Sequence, residues 1–251
     1  MKLLRSIGMT GLVAGAMALN SSVVMAQAAA SAPAPANAPE MSASMFRAVQ
    51  LDYADKVKDL IKGGESPNSV ESHGAPLIVY AARYKADAVV KLLADNPDTD
   101  LEALDPAGEN ALMMAAINQD MPMIQTLLAK DAEVNKKGWT PLHYAASAGD
   151  DAIVKVLIDH SAYIDAGSPN GSTPLMMAVA AGHVSTLKLL LDEGADSSIK
   201  NQLGLNAVDI AKRYNHPDIA DALSKQLANA QAAKGGAGAS SDANTATAPA
   251  K

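Results

Sequence analysis

Between about residues 43 and 228 the apolar residues fall into short bursts at helical spacing. Two kinds of burst alternate. One is short and carries a pair of small residues, as in Leu142 to Ala146, which contains Ala145-Ala146. The other places large apolar side chains at i, i+3 and i+4, as in Val154, Leu157 and Ile158, or Leu187, Leu190 and Leu191. Both patterns predict helices, the first with side chains small enough to let a neighbour approach closely. Polar stretches separate the bursts, so each pair reads as a helical hairpin followed by a turn.

The hairpins recur. Glycines at 74, 108, 138, 171 and 204 open similar segments at steps of 34, 30, 33 and 33 residues. GWTPLHYAASAGDDAIVKVLIDH from Gly138 and GSTPLMMAVAAGHVSTLKLLLDE from Gly171 are the clearest copies; weaker ones begin at Gly74, Gly108 and Gly204, and a half-copy begins near Met45. Within a copy, Thr140-Pro141 and Thr173-Pro174 are a capping residue followed by proline at the first helical position, where its missing N–H costs nothing. Gly149 and Gly182 supply the left-handed turn that ends the first helix. One hairpin cannot bury its own apolar stripes, whereas stacked copies share a continuous core.

TPLHxAAxxG, a Leu-Leu pair and Gly194-Ala195-Asp196 together resemble the ankyrin repeat. The resemblance implies an all-α solenoid of about six stacked helix-turn-helix repeats with β-turn fingers and a concave binding groove. The first copy lacks a finger, and the last has Val208-Asp209 where the pattern has Leu-His, as more polar terminal caps would. The glycine ending the second helix is present at Gly64 and Gly194 but replaced by Pro97, Asp131 and Ser161 in the middle copies. A left-handed non-glycine residue costs on the order of 1 kcal/mol. Those turns are therefore expected to change geometry or to be softer. The short 30-residue step removes three residues from the finger before Gly138 and predicts a notch in the fingertip row.

The ends have a different character. Lys2 and Arg5 precede an apolar stretch from about Ile7 to Leu19, and Val24-Met25-Ala26 offers a cleavage site, so residues 1–26 read as an export signal. A retained anchor or buried helix is the competing reading. Residues 27–42 are an Ala/Pro-rich tether and 229–251 a low-complexity tail, both expected to be disordered. Cleavage after Ala26 would take the formal charge from −7 to −9. An acidic exported chain is a poor match for nucleic acid or anionic lipid, and a bacterial periplasm is the expected compartment. With no cysteine there is no disulfide framework or thiolate metal site, and with aromatics at only 3% the core must be built of Ala, Leu, Val and Met.

For function, the resemblance implies a non-catalytic module, expected to be monomeric and without a cofactor, that binds another protein. Its variable positions carry over to Arg83 and Tyr84, Ile117 and Asn118, Ser147 and Ala148, and Arg213 and Tyr214 at the first-helix ends. Around the shortened finger they fall on Lys136, Lys137 and Trp139, the single tryptophan. Trp139 is expected at a solvent-facing fingertip, against the alternative that it covers the gap left by the deletion. Tyr84 and Tyr214 have a packing alternative too, and Lys136-Lys137 that of a solvated turn. The chain is also similar to small exported ankyrin proteins of proteobacteria, some of them associated with peroxide defence and periplasmic catalase; this implies a chaperone-like or protective role towards an enzyme. A copper or haem carrier is a third reading, since Met113, His143 and Met176 share one repeat position. Repeats about 10 Å apart cannot place these ligands within roughly 2.3 Å of one ion. The histidine of TPLH is instead expected to tie one repeat to the next. No HExxH pair, phosphate-binding glycine loop or Ser/His/Asp arrangement stands out.

Overall fold

The computed structural model describes residues 38–237. The proposed signal and most of the tether and tail lie outside the described residues. Among those described, twelve helices form six hairpins: α1 (Ala43–Gln50) and α2 (Ala54–Lys62), α3 (Leu77–Arg83) and α4 (Asp87–Ala94), α5 (Ala111–Ile117) and α6 (Met121–Leu128), α7 (Pro141–Ala148) and α8 (Asp151–Asp159), α9 (Pro174–Ala181) and α10 (Val184–Asp192), and α11 (Ala207–Arg213) and α12 (Pro217–Ala237). The odd-numbered helices pack side by side in one layer and the even-numbered ones against them in a second. This is the all-α solenoid expected.

The two layers differ because their surroundings differ. An inner helix meets its neighbours on two flanks and its own outer helix behind, so α3 is buried from Leu77 through Ala82 and α9 from Pro174 through Val179. Ala81-Ala82 and Ala145-Ala146 are fully buried, which is what the small pair allows. An outer helix buries one stripe, such as Ile153, Val154 and Leu157 in α8. Each such large side chain contributes about 2 kcal/mol on burial.

That figure decides the fate of the helix ends. Gly149 and Gly182 close their inner helices at φ 78° and 77°, and Asp52, Lys85, Gln119 and Asn215 do the same job at φ 52–60°. Of the outer helices lacking glycine, two keep the left-handed turn, at Asp131 (φ 59°) and Ser161 (φ 65°). The third, at Pro97, takes another geometry, since its ring holds φ negative. The strain of about 1 kcal/mol per site is smaller than the burial it enables: the Ala162 N–H closes back on the Leu157 carbonyl at 2.9 Å, and Leu157 is fully buried.

Four fingers share one tight turn. At the second of them Gly108 N–H donates to Asp105 O (2.9 Å) and Asp105 N–H to Glu109 O (2.9 Å); equivalent bonds join Glu71, Gly74 and Ala75, Ser168, Gly171 and Ser172, and Asn201, Gly204 and Leu205. The finger before Gly138, shorter by three residues, has neither bond among the described residues. Lys136 holds it instead, donating to Glu102 Oε2 at 2.7 Å.

Two boundaries differ from expectation. The end of the segment read as tether is fixed, because Val70 N–H donates to Pro39 O (2.9 Å), Met41 N–H to Val70 O (2.7 Å), and Ser42 caps α1. These residues pair alongside the first finger, where the first copy has none of its own. At the other end α12 continues past residue 228 to Ala237. Alanine, glutamine and lysine propagate a helix readily once packing has nucleated it.

Candidate functional site

Counting back from the left-handed residue of each inner helix defines columns along the concave face. The residue immediately before it is Leu51, Tyr84, Asn118, Ala148, Ala181 and Tyr214 in successive hairpins; the residue before that is Gln50, Arg83, Ile117, Ser147, Ala180 and Arg213. Eight of the sequence-derived candidates therefore share these two columns, Lys136, Lys137 and Trp139 lie on the shortened finger, and all differ in how much they present. Arg83, Tyr84, Lys137 and Arg213 are exposed, Tyr214, Asn118, Ile117 and Ala148 half-buried, and Ser147 buried.

Three candidates are structural. Trp139 is only 7% exposed, which overturns the solvent-facing placement. Its indole folds back edge-on against His143 (centroids 5.3 Å apart) and Tyr144 (6.3 Å), covering the start of α7 where the finger is shortened. Lys136 is engaged with Glu102 as described. The Ser147 carbonyl accepts His183 Nε2 at 3.1 Å, a tie between the fourth and fifth hairpins.

His143 is tied as the TPLH pattern implied. Thr140 N–H donates to Nδ1 (3.2 Å), so Nε2 carries the proton and donates to Ser172 O in the next finger (3.0 Å). Burial pushes its pKa down to about 4, against a smaller upward pull from Ser172. Both ring nitrogens are occupied, and Met113 and Met176 are buried in the core. No group of three or more His, Asp or Glu side chains among the described residues is placed to hold a metal ion.

The groove floor also carries a polar network. Arg83 pairs with buried Asp105 and lies 4.0 Å from Glu109, whose other oxygen accepts the Tyr144 hydroxyl at 2.9 Å. Burial raises the Glu109 pKa, the Tyr144 bond opposes it, and neighbouring Asp105 raises it further. The network crosses from the second hairpin to the fourth and fixes the groove's shape.

Residues the sequence did not single out complete the N-terminal end. Phe46 and Tyr84 flank Tyr80, with ring centroids 5.1 and 4.7 Å away, and Gln50 Nε2 donates to the Tyr80 hydroxyl at 3.0 Å. The signal was available: Asp52 stands in the left-handed position of the first hairpin, which brings Leu51 and Gln50 into the columns of Tyr84 and Arg83. The first copy's missing TPLH hid this. Two shallow depressions lie at this end, one beside Asp52, Tyr53 and Ala88 and one beside Pro39, Gly64 and Glu65.

A stacked-hairpin domain with a ridge of side chains left over on its concave side defines a repeat scaffold. The model for ankyrin repeats (3 copies) matches residues 45–135, 78–168 and 163–234, and the chain belongs to that family. It is 31% identical over 124 residues to the ankyrin repeat and SAM domain-containing protein 6 of Rattus norvegicus, covering 48% of this chain but 13% of that protein. The chain thus corresponds to a small part of that curated relative. Among solved structures it is similar to the ankyrin repeat domain of Bcl-3 (TM-score 0.61, 28% identity, 72% of this chain and 81% of that one). It is also similar to a chain in the complex of a predatory endopeptidase from Bdellovibrio bacteriovorus with an immunity protein (TM-score 0.65, 26% identity, 74% of this chain and 99% of that one). Ankyrin repeats are protein-interaction modules, and that is the class of function this fold supports.

Proposed function

We propose that the chain is a non-catalytic, exported binding protein that holds a partner protein against its concave face. The observation that carries this is the division of labour along each inner helix: its body is buried, while its C-terminal end presents Tyr84, Arg83 or Arg213 on a rigid support. Side chains fixed in this way bind with little ordering cost. The signal-like pattern of residues 1–26 supports a periplasmic site of action. The similarity to a chain of an endopeptidase–immunity protein complex supports a second, narrower reading, in which the partner is an enzyme shielded or restrained by the groove.

The test is co-purification from periplasmic extract with two variants of the full chain. Replacing Tyr84, Arg213 and Tyr214 together by alanine should abolish recovery of the partner. Replacing exposed Lys58, Lys188 and Val184 of the outer helices should leave it intact. Recovery that survives the first set and fails with the second would place the binding surface elsewhere.

A further inference from the structure

We propose that the tip of the fourth finger is a self-modifying site, at which Asn170 and Gly171 close to a cyclic imide that water opens to aspartate or isoaspartate. Asn170-Gly171 is the one Asn-Gly step in the chain; in the other fingers the residue before the glycine is His73, Ala107, Lys137 or Leu203. The Gly171 nitrogen and the Asn170 carboxamide carbon can close a five-membered ring through their covalent connection alone. Glycine puts no side chain beside that nitrogen.

The finger prepares the carboxamide for attack. Ser168 Oγ–H donates to Asn170 Oδ1 at 2.7 Å, and the Ser172 N–H donates to it at 3.0 Å while also reaching Ser168 Oγ at 3.0 Å. The backbone donor fixes which end of the carboxamide is oxygen. Both serines are buried, so the two donors are held where negative charge gathers on Oδ1 as the nitrogen attacks. Asn170 Nδ2, the leaving group, makes no hydrogen bond among the described residues. Asn170 itself is half-buried and open to solvent on one side.

The Gly171 N–H donates to Ser168 O at 2.7 Å. Base from solvent removes that proton, the N–Cγ bond forms, and the Cγ–Nδ2 bond breaks as ammonia leaves with a proton returned from water. One water then opens the imide. Attack at Cγ gives aspartate, and attack at the main-chain carbonyl gives isoaspartate, whose backbone is longer by one methylene. Either product adds one negative charge to the fingertip.

The two products differ at the fifth finger. Asn170 O accepts the Gln202 N–H at 2.9 Å, and Pro169 O accepts Gln202 Nε2 at 2.7 Å. A Cβ on Gly171 would stand 3.3 Å from Gln202 N and 3.4 Å from Asn201 Cα, so the two fingertips have no room for an added methylene. Isoaspartate therefore unties the fifth finger from the fourth, whereas aspartate leaves the tie in place.

Ageing the folded full chain at mildly alkaline pH and mapping its peptides by mass tests this. Asn170 should show the mass change of amide to acid sooner than any other asparagine. Ser168→Ala should slow the conversion about fivefold, the rate equivalent of one neutral hydrogen bond. In the aged isoaspartate fraction the Gln202 amide should lose its protection from hydrogen exchange, while Asn170→Asp keeps it. Conversion confined to urea-unfolded chain, or faster conversion in Ser168→Ala, would mean that the turn guards the site and overturns the inference. A Gln202 amide still protected beside isoaspartate overturns the untying of the fifth finger. Should Ser168→Ala not fold, the folded and urea-unfolded wild type decide the matter between them.

Discussion

His143 concentrates the chemistry of the repeat in one side chain. In the folded chain its imidazole is neutral because both nitrogens are committed and water is excluded. Its pKa is depressed from 6.5 to about 4, so between these values the unfolded chain binds a proton the folded chain refuses. The stabilisation is present above pH 6.5 and is lost as pH falls towards 4, amounting to about 3 kcal/mol. Urea unfolding between pH 7 and 4 should show this loss in the wild type and a shallower pH dependence in His143→Gln. Equal slopes in the two proteins would mean that His143 is accessible to protons. Its role was legible from TPLH because the motif carries the local partner Thr140 and the family resemblance implied the tie to the next repeat, made here to Ser172 O. Trp139 was left between two placements, fingertip and gap cover, since its burial follows from a three-residue deletion and from rings met only on folding.

At the scale of the helix and its turn, the inner-helix glycines are not equivalent to those of the fingers. Gly149 and Gly204 have similar left-handed φ, 78° and 73°, yet a Cβ on Gly149 would sit 2.6 Å from the His183 ring and one on Gly204 would meet nothing within 4 Å. Backbone strain alone predicts a loss of about 1 kcal/mol for Gly204→Ala. Gly149→Ala must in addition displace His183, whose Nε2 holds the Ser147 carbonyl of the neighbouring hairpin, and should cost about 2–3 kcal/mol. Thermal or urea unfolding of the two variants measures the difference, and equal losses would show that the ring moves freely. The helix patterns and the finger glycines were readable because local backbone geometry dictates both. That Asp131 and Ser161 would accept the left-handed turn while Pro97 could not was open, because tertiary burial decides whether the strain is tolerated.

The whole molecule is a row in which each hairpin touches only its neighbours, and this makes its stability local. Five hairpins could be counted from the glycine spacing, and the first from the half-copy near Met45, because successive copies repeat the same contacts. The clip of Pro39 and Met41 onto Val70 leaves no periodic trace, being a single bridge made by backbone atoms. Leu223, 1% exposed in α12, is the deepest large side chain of the final outer helix. Leu223→Ala should remove about 2–5 kcal/mol, and a linear array should confine the damage to the end of the row. Native-state hydrogen exchange should then show α11 and α12 losing protection by that amount while α1 to α4 keep theirs. The Val70 clip holds the opposite end and His143 bonds across the centre, so neither should feel the change. Uniform loss across all six hairpins would mean that the stack opens as one unit; a partner gripping only the N-terminal end would then stabilise the far cap as strongly as its own footing.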